Sequence, residues 1–382
     1  MEKLKRKGLR TWIEIDRKDI KHNFSIFRKL ISKKTKLMAV IKSNAYGHSL
    51  VDFAKEMEKL GADFLGVDSI VEGLTLRKEG ISTPILVLGY TLPEMVALAV
   101  EHDISLSVST FESLEYIIAN QKHFNKSLHI HIKVDSGMHR QGFLLKERLR
   151  VLKTLKSKKN SIIKVEGLFT HFASAKNPAF PEDTKKQIRD FKVWINDFKK
   201  AGLKPIAHSA ATAGTMLFPD SHFDMVRIGI GLYGLWPAKE VKAALGDKIL
   251  LKPVLSWKSL VSEIKKHPKG GRIGYDLTEH LVKNSVVATI PIGYWHGYPR
   301  ALSSLGKMLI RDKECKVLGR ISMDMICIDV TGVKNLRVGD EVIVIGKDDK
   351  SPCSMVGVSD ILDVSWYETT TRLNPLIKRI YL

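Results

Sequence analysis

KLMAVIKSNAYGHSLVDFAKEMEKL, residues 36–60, opens on an apolar run from Lys36 to Ile41 and closes on a helical stripe, Val51, Ala54, Met57 and Leu60. An uninterrupted apolar run suits a strand buried on both faces, and a spacing of three or four suits one buried helix face. The couple recurs along the chain. Further strands are predicted at Asp63 to Val67, Ile85 to Leu88, Ser105 to Val108, Leu128 to Val134, Ile163 to Thr170, Pro205 to His208 and Phe223 to Ile228. Between them lie helical stripes such as Ile188, Phe191, Ile195 and Phe198, and Thr110 stands as an N-cap before Phe111, Leu114 and Ile117. Eight strands, each followed by a helix, predict a closed parallel (β/α)8 TIM-like barrel; an open doubly wound sheet is the alternative.

Outward from the barrel the character changes. Thr11 to Ile15 alternates like a strand, and Asp16 and Asp19 suit the start of a helix carrying Ile20, Phe24, Phe27 and Leu30. After Trp236 to Lys252 short strand-like runs are divided by Lys269-Gly270-Gly271, Ile292-Gly293, Val338-Gly339-Asp340 and Ile345-Gly346. The expected organisation is a barrel domain over 1–240 and a mostly β C-terminal domain over 241–382, with strand 11–15 joining the latter.

The 382 residues carry 62 Lys and Arg against 41 Asp and Glu, a net charge of +21. Such a surplus raises a polyanion as partner. The basic clusters, Lys3 to Arg10, Lys156 to Lys159 and Lys265 to Arg272, lack the interleaved aromatics of a nucleic-acid groove, so they read as solvated surface. Cys315, Cys327 and Cys353 form neither a disulfide framework nor a metal site. With no secretory apolar core and no run approaching ~20 apolar residues, the chain reads as soluble and cytoplasmic, without a membrane or nucleic-acid partner and without a metal.

Function in a barrel of this kind gathers where strands end. A lysine closing an apolar strand is ordinarily solvated, but in a barrel mouth a desolvated amine has a lowered pKa and can form a Schiff base. Lys42 stands at such a place. Its segment, AVIKSNAYGHS (39–49), closely resembles the alanine racemase signature. Further segments match that family in order: VDSGMHRQGF (134–143), THFASA (170–175), HSAAT (208–212), VRIGIGLYG (226–234), GYDLT (274–278), IPIGYWHGYPR (290–300), GRISMD (319–324) and WYETTTRL (366–373). Taken singly, His171 would pass for a core histidine, Tyr275 for a packing residue, Arg140 and Arg227 for ion pairs, and Gly229 for a turn.

The resemblance implies a pyridoxal 5'-phosphate enzyme that interconverts L- and D-alanine, supplies D-alanine for peptidoglycan and works as a homodimer with shared sites. It makes Lys42 the Schiff-base lysine and one of two catalytic bases, and Tyr275 the second base, supplied by the other subunit. Tyr46, Ser209, the backbone at Gly229 and Ile230, and Tyr367 resemble the phosphate cradle. Arg227 resembles the arginine facing the pyridine nitrogen, and His171 the histidine beside it. Arg140 and the backbone of Met323 are implied to hold the substrate carboxylate. Lys133 matches a lysine that becomes carbamylated, Asp324 an acid beside the methionine, and Arg300 and Arg320 line the entrance. A tyrosine at 367 narrows the family's pocket towards a methyl side chain.

The chain departs from the family pattern at Ser49, where Gly is usual, at His208, where Asn commonly precedes the phosphate-binding serine, and at Lys176, where an acid is frequent. In GYWHG, Trp295 and His296 replace the common Ala-Asp. These changes leave the reaction type intact and bear on substrate range, so racemisation of another small amino acid such as serine is the alternative. A same-fold decarboxylase and a barrel protein of vitamin homeostasis rank below it, because they lack the tail after Lys42 or the C-terminal domain.

Overall fold

In a computed structural model, which describes residues 6–156 and 162–382, the chain forms two compact units. Lys3, Lys5, Lys158 and Lys159 of the basic clusters lie outside the described residues. One unit comprises Lys21–Ala45 and Leu50–Leu251; the other comprises the stretch ending at Ile20, Tyr46–Ser49 and Lys252–Leu382.

The first unit is the barrel. Its strands are Lys36–Val40, Phe64–Val67, Ile85–Val87, Ile104–Val108, Leu128–Asp135, Ile163–Phe169, Ile206–His208 and Met225–Ile228. Each pairs in parallel with the next, and the last returns to the first with Met225 opposite Lys36 and Ile228 opposite Ala39. Closure leaves no free edge. Met38, Phe64, Leu86 and Met225 form a buried cluster inside the ring, with Leu88 and Ile206 packed against it.

The helices outside bury faces shifted slightly from those their spacing predicts, Val51 and Leu60 being only half-buried. Leu50–Lys59 buries Leu50, Phe53, Ala54 and Met57, and Glu182–Lys200 buries Ile188, Phe191 and Phe198 with Trp194, which takes the place expected of Ile195. Thr110 caps Phe111–Asn120 by accepting from the Ser113 N–H at 3.2 Å. Replacing such a cap by alanine costs about 1 kcal/mol.

The second unit is built on a nine-stranded sheet. Thr11–Ile15 lies within it, antiparallel to Leu255–Leu260 and parallel to Arg379–Tyr381. Asp16 then caps the helix Arg17–Leu30, its carboxylate accepting from the N–H groups of Lys18 and Asp19. Two short helices, Met355–Ile361 and Trp366–Thr371, interrupt the β structure. The three cysteines are free, and among the described residues no helix is long and apolar enough to cross a membrane.

Candidate active site

Lys42 follows the first barrel strand directly, and the chain beyond it turns the wrong way. Ser43, Asn44, Ala45, Tyr46 and Gly47 all have φ between +51° and +85°. Left-handed backbone costs roughly 1–2 kcal/mol per non-glycine residue, so four such residues in succession need external support. Glu72, in the helix Ile70–Lys78, supplies it: its carboxylate accepts from the Ser43 N–H at 2.7 Å and from the Asp68 N–H at 2.8 Å. Asn44 Oδ1 accepts from the Leu50 N–H at 2.9 Å where the chain resumes a right-handed helix. The Lys42 side chain is 38% exposed, with Nζ 3.2 Å from Asp68 Oδ1.

Around this mouth the barrel gathers cations. Lys133, near the end of its strand, donates to Gln141 Oε1 at 2.7 Å, and burial together with the charges of Arg140, Arg227 and Lys42 pulls its ammonium down to about 8. Asp135 Oδ1 accepts from the N–H groups of Gly137, Met138 and His139, shaping the turn that presents an exposed Arg140. Burial and then the positive charges of Arg227, Arg140, Lys133 and Lys42 hold His171 neutral, down to about 3.

Arg227 is buried, and its terminal nitrogens reach five acceptors. Nη1 donates to the His208 carbonyl and to His208 Nδ1, both at 3.0 Å. Nη2 reaches Thr170 O at 2.7 Å, Ser209 O at 2.9 Å and His171 Nδ1 at 3.4 Å. The Nε–H is left as the donor without a partner among the described residues. Burial lowers the guanidinium to about 9, so it stays charged at neutral pH.

Because a guanidinium only donates, His208 Nδ1 must accept, and the remaining tautomers follow. His208 Nε2–H donates to His131 Nδ1 at 2.9 Å, and His131 Nε2–H to Glu166 at 3.0 Å. Ser105 Oγ donates to the same Glu166 oxygen at 2.6 Å. Burial keeps both histidines neutral, while bonds from His131 and Ser105 hold Glu166 down to about 2. A directed chain thus ties Arg227 to a carboxylate across the barrel interior. Gly167 leaves room for it: a Cβ there would run into the His131 ring.

The residues assigned to the phosphate divide. Gly229 and Ile230 follow the last strand, and the Ser209 hydroxyl donates to the Ser221 carbonyl at 2.8 Å. The hydroxyl beside Gly229 is Thr212's, which accepts from the Gly229 N–H at 3.2 Å.

The second unit holds the remaining residues. The rings of Tyr46 and Tyr367 lie 6.1 Å apart, and burial pushes the Tyr367 phenol well above its usual range. Arg379 donates twice to the Gly47 carbonyl and the Tyr381 hydroxyl to that of His48, anchoring Tyr46–Ser49. Gly47 cannot be replaced easily, since a Cβ would meet the Thr370 carbonyl. Tyr275 is 68% exposed and follows Gly274, whose φ is +80°. Beside it Arg320 pairs with Asp276 at 2.8 Å. Ser303 Oγ donates to the carbonyl of the exposed Arg300 and accepts from the Ile321 N–H, joining the two arginine-bearing turns. Met323 is 52% exposed, and Asp324 lies next to it. Asp68, Glu72, His131 and Glu166 carry no motif signal that singles them out and act by spatial placement, while Thr212 closes the HSAAT segment without being marked for a role.

Models of the alanine racemase N-terminal and C-terminal domains match residues 15–237 and 254–381. "Alanine racemase 2" of Oceanobacillus iheyensis is 38% identical over 373 residues, covering 97% of this chain and 93% of the relative. Among solved structures, the alanine racemase of Clostridium difficile 630 aligns with a TM-score of 0.92 at 33% identity, covering 98% of this chain and 96% of that one. A histidine racemase from Leuconostoc mesenteroides subsp. sake aligns at 0.87 with 28% identity, covering 98% and 99%.

Proposed function

Because the chain belongs to the alanine racemase family, whose members are pyridoxal-phosphate-dependent amino-acid racemases, we propose that it interconverts L- and D-alanine, with Lys42 and Tyr275 as its two bases. The observation that carries this reading is the donor set of the barrel mouth. A partly exposed amine at Lys42, an N–H and a hydroxyl at Gly229 and Thr212, and the spare Nε–H of Arg227 suit an aldehyde, a phosphate and a ring nitrogen. Lys133, Arg140 and Arg227 add positive charge for two anions. The residues therefore fit pyridoxal phosphate, which when bound supplies the sink for the electrons left behind by the α-proton.

The protein's own part is positional and protolytic. Lys42 Nζ removes or returns a proton on one face of the substrate α-carbon, and the Tyr275 hydroxyl does so on the other. An unperturbed tyrosine titrates near 10, so its use as a base requires cationic neighbours. His171, held neutral with Nδ1 turned to Arg227, has Nε2–H to offer such a phenolate. Arg227 would donate to a ring nitrogen of the cofactor without surrendering a proton, because guanidinium stays charged. That restraint disfavours competing chemistry at the substrate.

Tyr275 and Met323 are exposed, and we assign them to the site of a second copy, which makes the working enzyme a homodimer. The Tyr46 and Tyr367 rings, 6.1 Å apart, favour a methyl side chain over an imidazole, hence alanine over histidine as substrate. The test is a chiral assay of purified protein over L- and D-alanine, serine and histidine, with mass measured by light scattering. Racemisation of alanine first, lost in Lys42→Ala along with the visible absorbance of lysine-linked cofactor, supports the reading. A fully active monomer overturns the shared site, and preference for histidine overturns the substrate.

A further inference from the structure

His296 stands where the family pattern carries Asp, and its surroundings show what that exchange changes. The residue is 2% exposed. Its Nδ1 accepts from the Gly293 N–H at 3.1 Å, while its own N–H returns to the Gly293 carbonyl at 3.1 Å. The turn closed in this way grips the neighbouring loop: the Tyr294 N–H donates to Ser322 O and the Trp295 N–H to Met323 O, each at 3.1 Å. Gly293 lies so close to these two carbonyls that a Cβ would strike both. Asn374 holds the other side, donating to the carbonyls of Trp295 and His296. The Met323 N–H has no acceptor among the described residues.

An Asp carboxylate accepts a hydrogen bond at any pH above about 4, whereas an imidazole accepts only while neutral. Protonation would set two donors, Nδ1–H and the Gly293 N–H, against each other. The charged and titratable neighbours pull in opposite directions: burial and Arg10 favour neutral His296, and Asp324, with Oδ1 3.8 Å from Nδ1, favours the cation and offers the freed Nδ1–H an alternative partner.

We propose that His296 is a pH-sensitive positioning residue, whose neutral imidazole braces the Gly293–Gly297 turn and so holds the Met323 backbone in place for a substrate carboxylate. This rests on the assignment of Met323 given above. Below the imidazole range the brace opens and substrate binding weakens, while the proton-transferring groups are untouched.

The experiment compares wild type with His296→Asp and His296→Asn, both of which keep an acceptor at every pH used. For each holoenzyme KM and kcat for alanine are measured from about pH 8 to about pH 5.5. The loss of one buried hydrogen bond predicts an extra rise in wild-type KM beyond that of either variant, growing towards the acid end and limited to about tenfold because the folded imidazole titrates below its usual value, with kcat profiles superimposable. An equal KM ratio in all three proteins overturns the proposal, as does an effect confined to kcat. Thermal melting over the same range separates this inference from the racemase reading. If no protein turns over alanine, the functional reading fails. A steeper acid loss of Tm in wild type than in both variants still upholds the brace, and parallel melting curves reject it.

Discussion

Exchanging two hydroxyls three residues apart separates cofactor binding from folding. Thr212 Oγ1 lies 3.2 Å from the Gly229 N–H at the end of the last barrel strand, whereas Ser209 Oγ donates at 2.8 Å to the Ser221 carbonyl in a fully buried setting. Thr212→Val keeps the shape and removes the hydroxyl. If that group also touches the phosphate, a hydrogen bond to a charged partner is lost, worth about 1.5–3 kcal/mol. At 1.4 kcal/mol per factor of ten, affinity for pyridoxal phosphate falls by roughly one to two orders of magnitude. Ser209→Ala instead leaves a buried carbonyl unsatisfied, at a cost of about 1–3 kcal/mol in stability, and Tm drops by a few degrees while affinity changes by less than about threefold. Absorbance titration of apo-protein with pyridoxal phosphate, alongside thermal melts, reads both quantities, and Thr212→Ser should restore binding. A tenfold loss of affinity in Ser209→Ala with Thr212→Val unaffected would refute the placement of the phosphate at Thr212.

Other expectations follow from the buried polar groups. With its ammonium drawn down to about 8, Lys133 is about half neutral at pH 8, where an ordinary lysine is below 1%; ¹³C-bicarbonate should therefore give a carbamate NMR signal absent from Lys133→Met. Gly167→Ala drives a methyl into the His131 ring, and urea unfolding should report a loss of about 1–3 kcal/mol. His131, His171 and His208 are neutral in the fold and protonate near 6.5 when unfolded, so stability declines as pH falls below that value. Glu166, held down to about 2 from 4.5, adds a second loss between those values, which pH-dependent melting should show flattened in Glu166→Gln. Tyr275→Phe should impair solvent deuterium exchange unequally for D- and L-alanine, and symmetrical loss would contradict its place on one face.

The barrel was legible because a strand covered by helices outside and side chains inside is apolar throughout. Leu37 to Ile41 and Ile85 to Leu88 need no partner to be recognised, whereas Leu128 to Val134 carries His129, His131 and Lys133 between its apolar residues; the Thr110 cap announces itself by residue type. What stayed hidden depends on partners distant in sequence. Nothing in Ser43, Ala45 or Tyr46 favours left-handed backbone; Glu72, 29 residues beyond Ser43, makes it tenable. Ser209 attracts the phosphate role because it follows the strand, but its bond to the Ser221 carbonyl, twelve residues on, could not be read from the segment itself. The residue at 212 could have been suspected from its place at the start of the helix Thr212–Leu217.

The net charge of +21 acquires a sharper meaning at the barrel mouth than over the surface. Burial first, and then the charges of Arg140, Arg227 and Lys42, depress Lys133, and burial with the same charges and that of Lys133 depresses His171; Asp68 is the acid that opposes the trend at Lys133. Glu166 is tied to His131 and Ser105, at the far end of the histidine chain. The mouth therefore stores electrostatic cost in the folded chain, and an anion bound there relieves it. Relief of that kind raises the affinity of every later anion less than the first. Phosphate binding should consequently raise the Lys133 ammonium pKa above about 8, and a substrate carboxylate arriving afterwards meets a field already partly neutralised. The order matters for the site's selectivity: with a phosphate in place, short-range hydrogen bonds rather than bulk positive potential would distinguish an amino-acid carboxylate from other small anions.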